Sequence, residues 1–143
     1  MASIFSKIIA GEIPGSFVFR DDLWVGLLDL FPVTPGHLLL IPRQEVALLG
    51  ELDGATQAAM GPNLARSSRC LHTALDCEGV SVLIRDGAAA GQEVAHLHIH
   101  LIPRASGDDP HRFSPGRYAP DDAAANAAME QMAARLSAAW EQS

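Results

Sequence analysis

The spacing of apolar and polar positions changes several times along the chain, and each change predicts an element. Ser3-Ile-Phe-Ser-Lys-Ile-Ile-Ala reads as a short helix with a serine in cap position, stopped by Gly11 and then Pro14. Extended runs follow at Phe17 to Arg20, Leu23 to Asp29 and His37 to Arg43, with Asp21-Asp22 as a hairpin turn and Pro32 and Pro35-Gly36 as breakers. From Thr56 to Leu75, Met60, Leu64, Leu71 and Leu75 fall at helical intervals. Gly61-Pro62 interrupts that pattern, so the helix either starts at Pro62 or kinks there, because proline lacks a backbone donor. Val80 to Arg85 and Ala95 to Ile102 read as two further strands, joined by the glycine-rich Asp86 to Gln92. A polar, proline-rich connection occupies residues 106–122, and Ala123 to Trp140 is a closing alanine-rich helix. Internal repeats and a second domain are absent from the pattern.

Within the last strand, "HLHIHL" sets His96, His98 and His100 at alternate positions with Leu97, Ile99 and Leu101 between them. A period of two sends the rings to one face and the apolar residues to the other. A lone histidine in a strand is usually structural, but three in register, in a chain holding six in all, point to chemistry. A shared metal fits poorly, since same-face positions in a strand lie about 6.7 Å apart, putting His96 and His100 about 13 Å apart at Cα. An extended row suits linked phosphates better, with a nucleophile in the middle and donors on either side. The loop bounded by Gly87 and Gly91 would let backbone N–H groups approach an anion, with Gln92 beside it. His37, at the start of its strand, either joins the site or closes a turn.

Composition narrows the class. A chain of 143 residues, 48% hydrophobic and 19% charged, has the make-up of one globular domain, taken as 1–143. A formal charge of −7 argues against a general grip on nucleic-acid polymers or anionic membranes. No apolar stretch reaches the ~18–20 residues of a membrane span, and the N-terminus lacks signal-peptide order, so a soluble cytoplasmic protein is expected. Cys70 and Cys77, placed about 10 Å apart on a helix, read as reduced core thiols rather than a disulfide.

The row His96-Leu-His-Ile-His-Leu resembles the His-φ-His-φ-His-φ signature (φ, apolar) of the histidine triad, or HIT, family of nucleotide hydrolases and transferases. "IFSKIIAGEIPGSFVFRDD", "LLDLFPVTPGHLLLIPR" and "AAGQEVAHLHIHLIPR" resemble the same family in the same order. The resemblance covers residues 3–104, leaving 105–143 as an extension that matches no motif. It implies an α+β fold with a five-stranded antiparallel sheet, a main helix, a short N-terminal helix and a C-terminal helix, assembled as a homodimer. It also implies attack by His98 on the α-phosphorus of a nucleoside phosphate, giving a covalent nucleotidyl-histidine that water resolves to the monophosphate.

By the same resemblance, His100 and Gln92 contact the α-phosphate, His96 and His37 flank it, and Asp29 accepts from the ribose hydroxyls. Phe5, Ile13, Phe19 and Leu30 would form an apolar slot for the base, a purine by inference, although a core role is the commoner fate of such residues. Two departures stand out. Many members hold a structural zinc with cysteines and histidines at positions that here read Ser3, Ser6 and Glu45, so no metal and no cofactor are expected. Arg85 stands where the family usually has asparagine, and either holds phosphate or pairs with Asp86 or Glu93. Beside the phosphoramidase or dinucleoside polyphosphate hydrolase stand two alternatives: a nucleotide-binding or protein-interaction module with little turnover, and a histidine-ligated metal hydrolase.

Overall fold

The computed structural model describes residues 2–117 and 119–143. Tyr118, in the predicted 106–122 connection, and Met1 lie outside the described residues. The elements run α1 (Ile4–Ile9), β1 (Phe17–Arg20), β2 (Trp24–Leu28), β3 (Leu38–Pro42), α2 (Gly54–Leu75), β4 (Gly79–Ile84), β5 (Ile99–Arg104) and α3 (Ala123–Glu141). The strands form one antiparallel sheet in the order β1-β2-β3-β5-β4. The α+β class and the five-stranded sheet with its N-terminal, main and C-terminal helices are as expected from the sequence.

Local chemistry sets the ends of these elements. Ser3 caps α1, its Oγ accepting from the Ser6 amide at 3.0 Å. Asp21 makes the first hairpin turn by accepting from the amides of Leu23 and Trp24. The main helix starts earlier than its periodicity suggested, because Asp53 caps it by accepting from Thr56 N at 2.8 Å. Pro62 lies inside α2 on an exposed turn and does not begin the helix. Cys77 lies just beyond α2, past the left-handed Asp76, and both cysteines are free thiols.

The sheet divides the molecule into two layers with different occupants. One face carries Trp24, Leu28, Leu38, Leu40, Ile99 and Leu101 and is covered by α2 and α3 in the main core. On the other face Val25, Leu27, Leu39 and Ile41 pack against α1, through Phe5 and Ile8, with Ile13, Phe17 and Val94 at the margin. So short a helix covers part of that face and leaves the remainder as a cleft.

Phe19 belongs to the α3 layer, contrary to the expectation that it would border the base. Its ring stacks on Trp140 with centroids 3.8 Å apart and an interplanar angle of 4°. Gly26 makes this possible, since a Cβ there would lie 2.5 Å from the Phe19 ring. Gly26→Ala should therefore destabilise the fold by about 2 kcal/mol through overpacking. Chemical denaturation should find a smaller loss in a Phe19→Leu background, where the obstructing ring is gone.

Candidate active site

The uncovered face holds a cleft of about 670 Å³. Its floor is His98 and His100, its polar margin Asp29 and His37, and Phe5 and Leu39 form an apolar end. The expected alternation holds for the intervening residues, since Leu97, Ile99 and Leu101 are fully buried in the opposite core.

The histidine row itself is split, because β5 begins at Ile99 and not at Ala95. The β3–β5 ladder stops after Leu40↔Ile99 as the neighbouring strand reaches Pro42, which has no N–H to donate. The Pro42 carbonyl instead accepts from His96 Nε2 at 2.7 Å. His96 is wholly buried and does not line the cleft. Its other nitrogen, Nδ1, lies 2.6 Å from Ser3 Oγ, so the ring is held on both sides and is placed to position rather than to touch a substrate.

These partners determine where the protons sit. His98 Nδ1 lies 2.8 Å from the His96 carbonyl oxygen, which can only accept, so Nδ1 carries the hydrogen and Nε2 keeps its lone pair. His37 Nδ1 accepts from the Val33 amide at 3.0 Å, leaving the hydrogen on Nε2. That hydrogen points to His100 Nδ1 at 2.9 Å, with Asp29 Oδ2 at 3.5 Å from the same nitrogen. His100 Nδ1 therefore accepts, and its Nε2–H is free to donate. A lone pair on His98 stands beside a donor on His100, their ring centroids 5.0 Å apart.

Burial keeps these rings neutral. Desolvation is the main cause that lowers His98 below the ordinary histidine value, opposed by the His96 carbonyl and Asp29. His100 is pushed down to about 3 by burial first and then by the His98, His37 and Arg85 charges. His37 is lowered by burial, partly offset by Asp29, and His96 is lowered by burial as well.

The remaining expected site residues divide. Asp29, Leu30, Phe5 and Arg85 line the cleft. Asp29 spends Oδ1 on the Phe31 amide at 2.8 Å and presents Oδ2 to the histidine pair. Ile13 instead packs behind Phe5 and Ile8, outside the cleft. Gln92 is turned away, its Oε1 accepting from Gly87 N at 2.9 Å and its Nε2 donating to Ala47 O at 2.8 Å. In the Gly87–Gly91 loop the amides of Gly87, Ala90, Gly91 and Gln92 donate within the loop and are not offered to an anion. Arg85 pairs with neither Asp86 nor Glu93 among the described residues; Asp86 caps Leu49 N instead.

Sequence reasoning missed Phe113 and Pro115, which close the far end of the cleft. The buried Arg104 holds their loop, donating to the Asp109 and Arg112 carbonyls while stacking near the Phe113 ring. Gly116 N adds a bond to Phe31 O. The only signal was an arginine ending the strand on the same face as His98 and His100, which is weak without the loop's position.

Among the described residues, two places are candidates for metal binding. Ser3, Ser6, Glu45 and His96 come together, but as a hydrogen-bonded set: Glu45 Oε1 accepts from Ser3 N at 2.6 Å and Ser6 Oγ at 2.7 Å. Two hydroxyls, a carboxylate and one imidazole do not fit zinc, which favours thiolate and imidazole. Asp29, His37 and His100 have ligand atoms within 4.8 Å of one another, yet the two imidazoles spend those nitrogens on each other.

A five-stranded antiparallel sheet bearing a neutral, lone-pair-presenting histidine at a cleft is the arrangement of the histidine-triad class of folds. The chain matches the HIT domain family model over residues 10–107 and belongs to that family. It is 37% identical over 105 residues to adenylylsulfatase HINT3 of Arabidopsis thaliana, covering 73% of this chain. The match spans only 53%, about half, of that relative's length. Among solved structures it resembles a zinc-bound histidine triad family protein from Mycobacterium smegmatis, at TM-score 0.82 and 33% identity over 99% of this chain and 95% of that one. It also resembles a hypothetical histidine triad nucleotide-binding protein from Sulfolobus tokodaii, at TM-score 0.83 and 30% identity over 96% and 91%.

The histidine environment has a thermodynamic consequence. Where folding lowers a histidine's pKa, the unfolded chain binds protons below 6.5 that the folded chain refuses, so stability falls as pH drops. Thermal denaturation should show Tm declining from pH 6.5 toward 5, with a shallower slope for His100→Gln. Glu45, held at about 2 chiefly by the Ser3 amide, adds a second loss below about 4.5. Metal analysis of purified protein should find well under one zinc per chain, and a stoichiometric ion would contradict the hydrogen-bonded reading of Ser3, Ser6, Glu45 and His96.

Proposed function

We propose that the protein hydrolyses or transfers nucleotidyl groups at the α-phosphate of a nucleoside 5′-phosphate derivative. The carrying observation is the His98 tautomer, which leaves Nε2 unprotonated and facing the cleft. In this reading Nε2 attacks the α-phosphorus, the bond to the leaving group breaks with its electron pair, and a nucleotidyl-histidine forms. Water then attacks the same phosphorus and returns the pair to Nε2, releasing the monophosphate. His100 donates through Nε2–H to a non-bridging oxygen, where charge is stabilised without a proton moving. His37 and Asp29 hold His100 in the donating tautomer, and Asp29 stands at the ribose. Phe5, Leu39 and Leu30 offer an apolar bed that suits a purine base.

Candidate substrates are nucleoside phosphoramidates, dinucleoside polyphosphates and, from the name of the Arabidopsis relative, adenylyl sulfate. We also propose a homodimer: β4 is an edge strand and its Val82 is 49% exposed, so a second copy could cover it. No helix among the described residues is long and apolar enough to cross a membrane, and free thiols at Cys70 and Cys77 fit a reducing cytoplasm.

Incubation with adenylated amine, adenylyl sulfate and diadenosine polyphosphate should release AMP, and His98→Ala should reduce kcat at least about a thousandfold. Nucleotide binding without turnover in the wild type would favour a binding module. Loss of activity with chelator, restored by zinc, would favour metal hydrolysis. Because burial lowers the His98 pKa, the acid limb of kcat/KM should fall below pH 6.5; a limb above that value would contradict the neutral nucleophile.

A further inference from the structure

Arg85 is an arginine that lines the cleft. It follows Ile84, which faces Ile99, while Leu83 faces His100, so Arg85 leaves the end of β4 beside the point where His98 leads into β5, and both line the cleft. Its side chain lies over Gly91, where a Cβ would come within 2.6 Å of Nη1, and among the described residues its one hydrogen bond to protein is a long 3.4 Å contact with Ala90 O. Gly91 has φ +93°, so a side chain there is disfavoured by the backbone as well as by the guanidinium. No carboxylate lies in salt-bridge range of Arg85 among the described residues, although Glu93 is exposed on the same margin. Its charge nonetheless reaches both His98 and His100.

Sheet order divides the cleft about the histidines. On the β2–β3 side lie Asp29, Leu39 and Phe5, the apolar half with one carboxylate; on the β4 side lie Leu83, Arg85 and Gly91. A nucleoside bedded in the first half turns the departing group toward the second. An amine leaving group needs a proton, which a guanidinium does not give up. A sulfate or phosphate chain leaves as an anion, carrying the electron pair of the broken P–O bond, and needs only positive charge and donors to meet it.

We infer that Arg85 selects substrates whose leaving group is an oxyanion, sulfate or a phosphate chain, over those that release an amine. The inference rests on the hydrolase reading and adds the class of leaving group to it.

The test compares kcat/KM for adenylyl sulfate and diadenosine triphosphate, each as a ratio to adenosine 5′-phosphoramidate, in wild type, Arg85→Ala and Arg85→Lys. The loss of a charge-assisted contact should lower one or both ratios about tenfold in Arg85→Ala, with Lys retaining part of the preference and added salt eroding it. The ratio that falls identifies sulfate or phosphate as the anion met. Equal losses on all three substrates would overturn the inference and place Arg85 on the α-phosphate common to them. A wild type releasing AMP from none of them would sink the hydrolase reading by itself. The same ratios, measured as Kd by calorimetry in the His98→Ala chain, then decide the inference: a preference lost with Arg85→Ala supports it, and an unaltered preference overturns it.

Discussion

The hydrogen bond from His98 Nδ1 to the His96 carbonyl is the interaction on which the site depends. At 2.8 Å it commits one nitrogen to the backbone and leaves the other as a nucleophile inside a cleft whose burial disfavours protonation. Nothing in the imidazole itself would make that choice. It is made by where the His96 carbonyl, two residues earlier, points, and that depends on His96 being locked in place.

His96 is locked by the polar cluster at the N-terminal helix. Pro42 O takes its Nε2–H, Ser3 Oγ meets its Nδ1, and Glu45 gathers Ser3 and Ser6 in turn. The same helix carries Phe5, whose ring stands edge-on to His98 with centroids 4.9 Å apart. One set of bonds thus fixes both the backbone that orients the nucleophile and the apolar wall beside it. Hydrogen bonds between oxygens and an imidazole do here the fastening that a metal ion does in other sites, at the cost of a dependence on pH.

Periodicity was a good guide wherever one period governed a whole element. The β1, β2 and β4 strands and both long helices lie within a few residues of where their patterns placed them, since each buries one face against a continuous core. The alternation around His98 was also legible, because Leu97, Ile99 and Leu101 fill the opposite core whether or not the ladder continues. What failed were statements about individual side chains. Phe19 and Ile13 looked like slot residues because an apolar residue beside a site reads the same as one in the core, and only the packing of Trp140 and Phe5 separates them. Gln92 and the glycine loop looked like anion ligands, but the Gln92 side chain donates to Ala47 O and the Gly87, Ala90, Gly91 and Gln92 amides donate within the loop, a closure that depends on turn geometry no spacing encodes. Phe113 and Pro115 were invisible because their position comes from Arg104 reaching backbone carbonyls eight residues or fewer away.

The account is most directly tested by the protonation of the His98 ring in the free protein at neutral pH. Long-range proton–nitrogen correlation spectra of histidine-labelled protein, assigned by comparison with His98→Asn, would read it. The account predicts a neutral ring with hydrogen on Nδ1 and an unprotonated Nε2. A ring protonated on both nitrogens, or one carrying its hydrogen on Nε2, would contradict it.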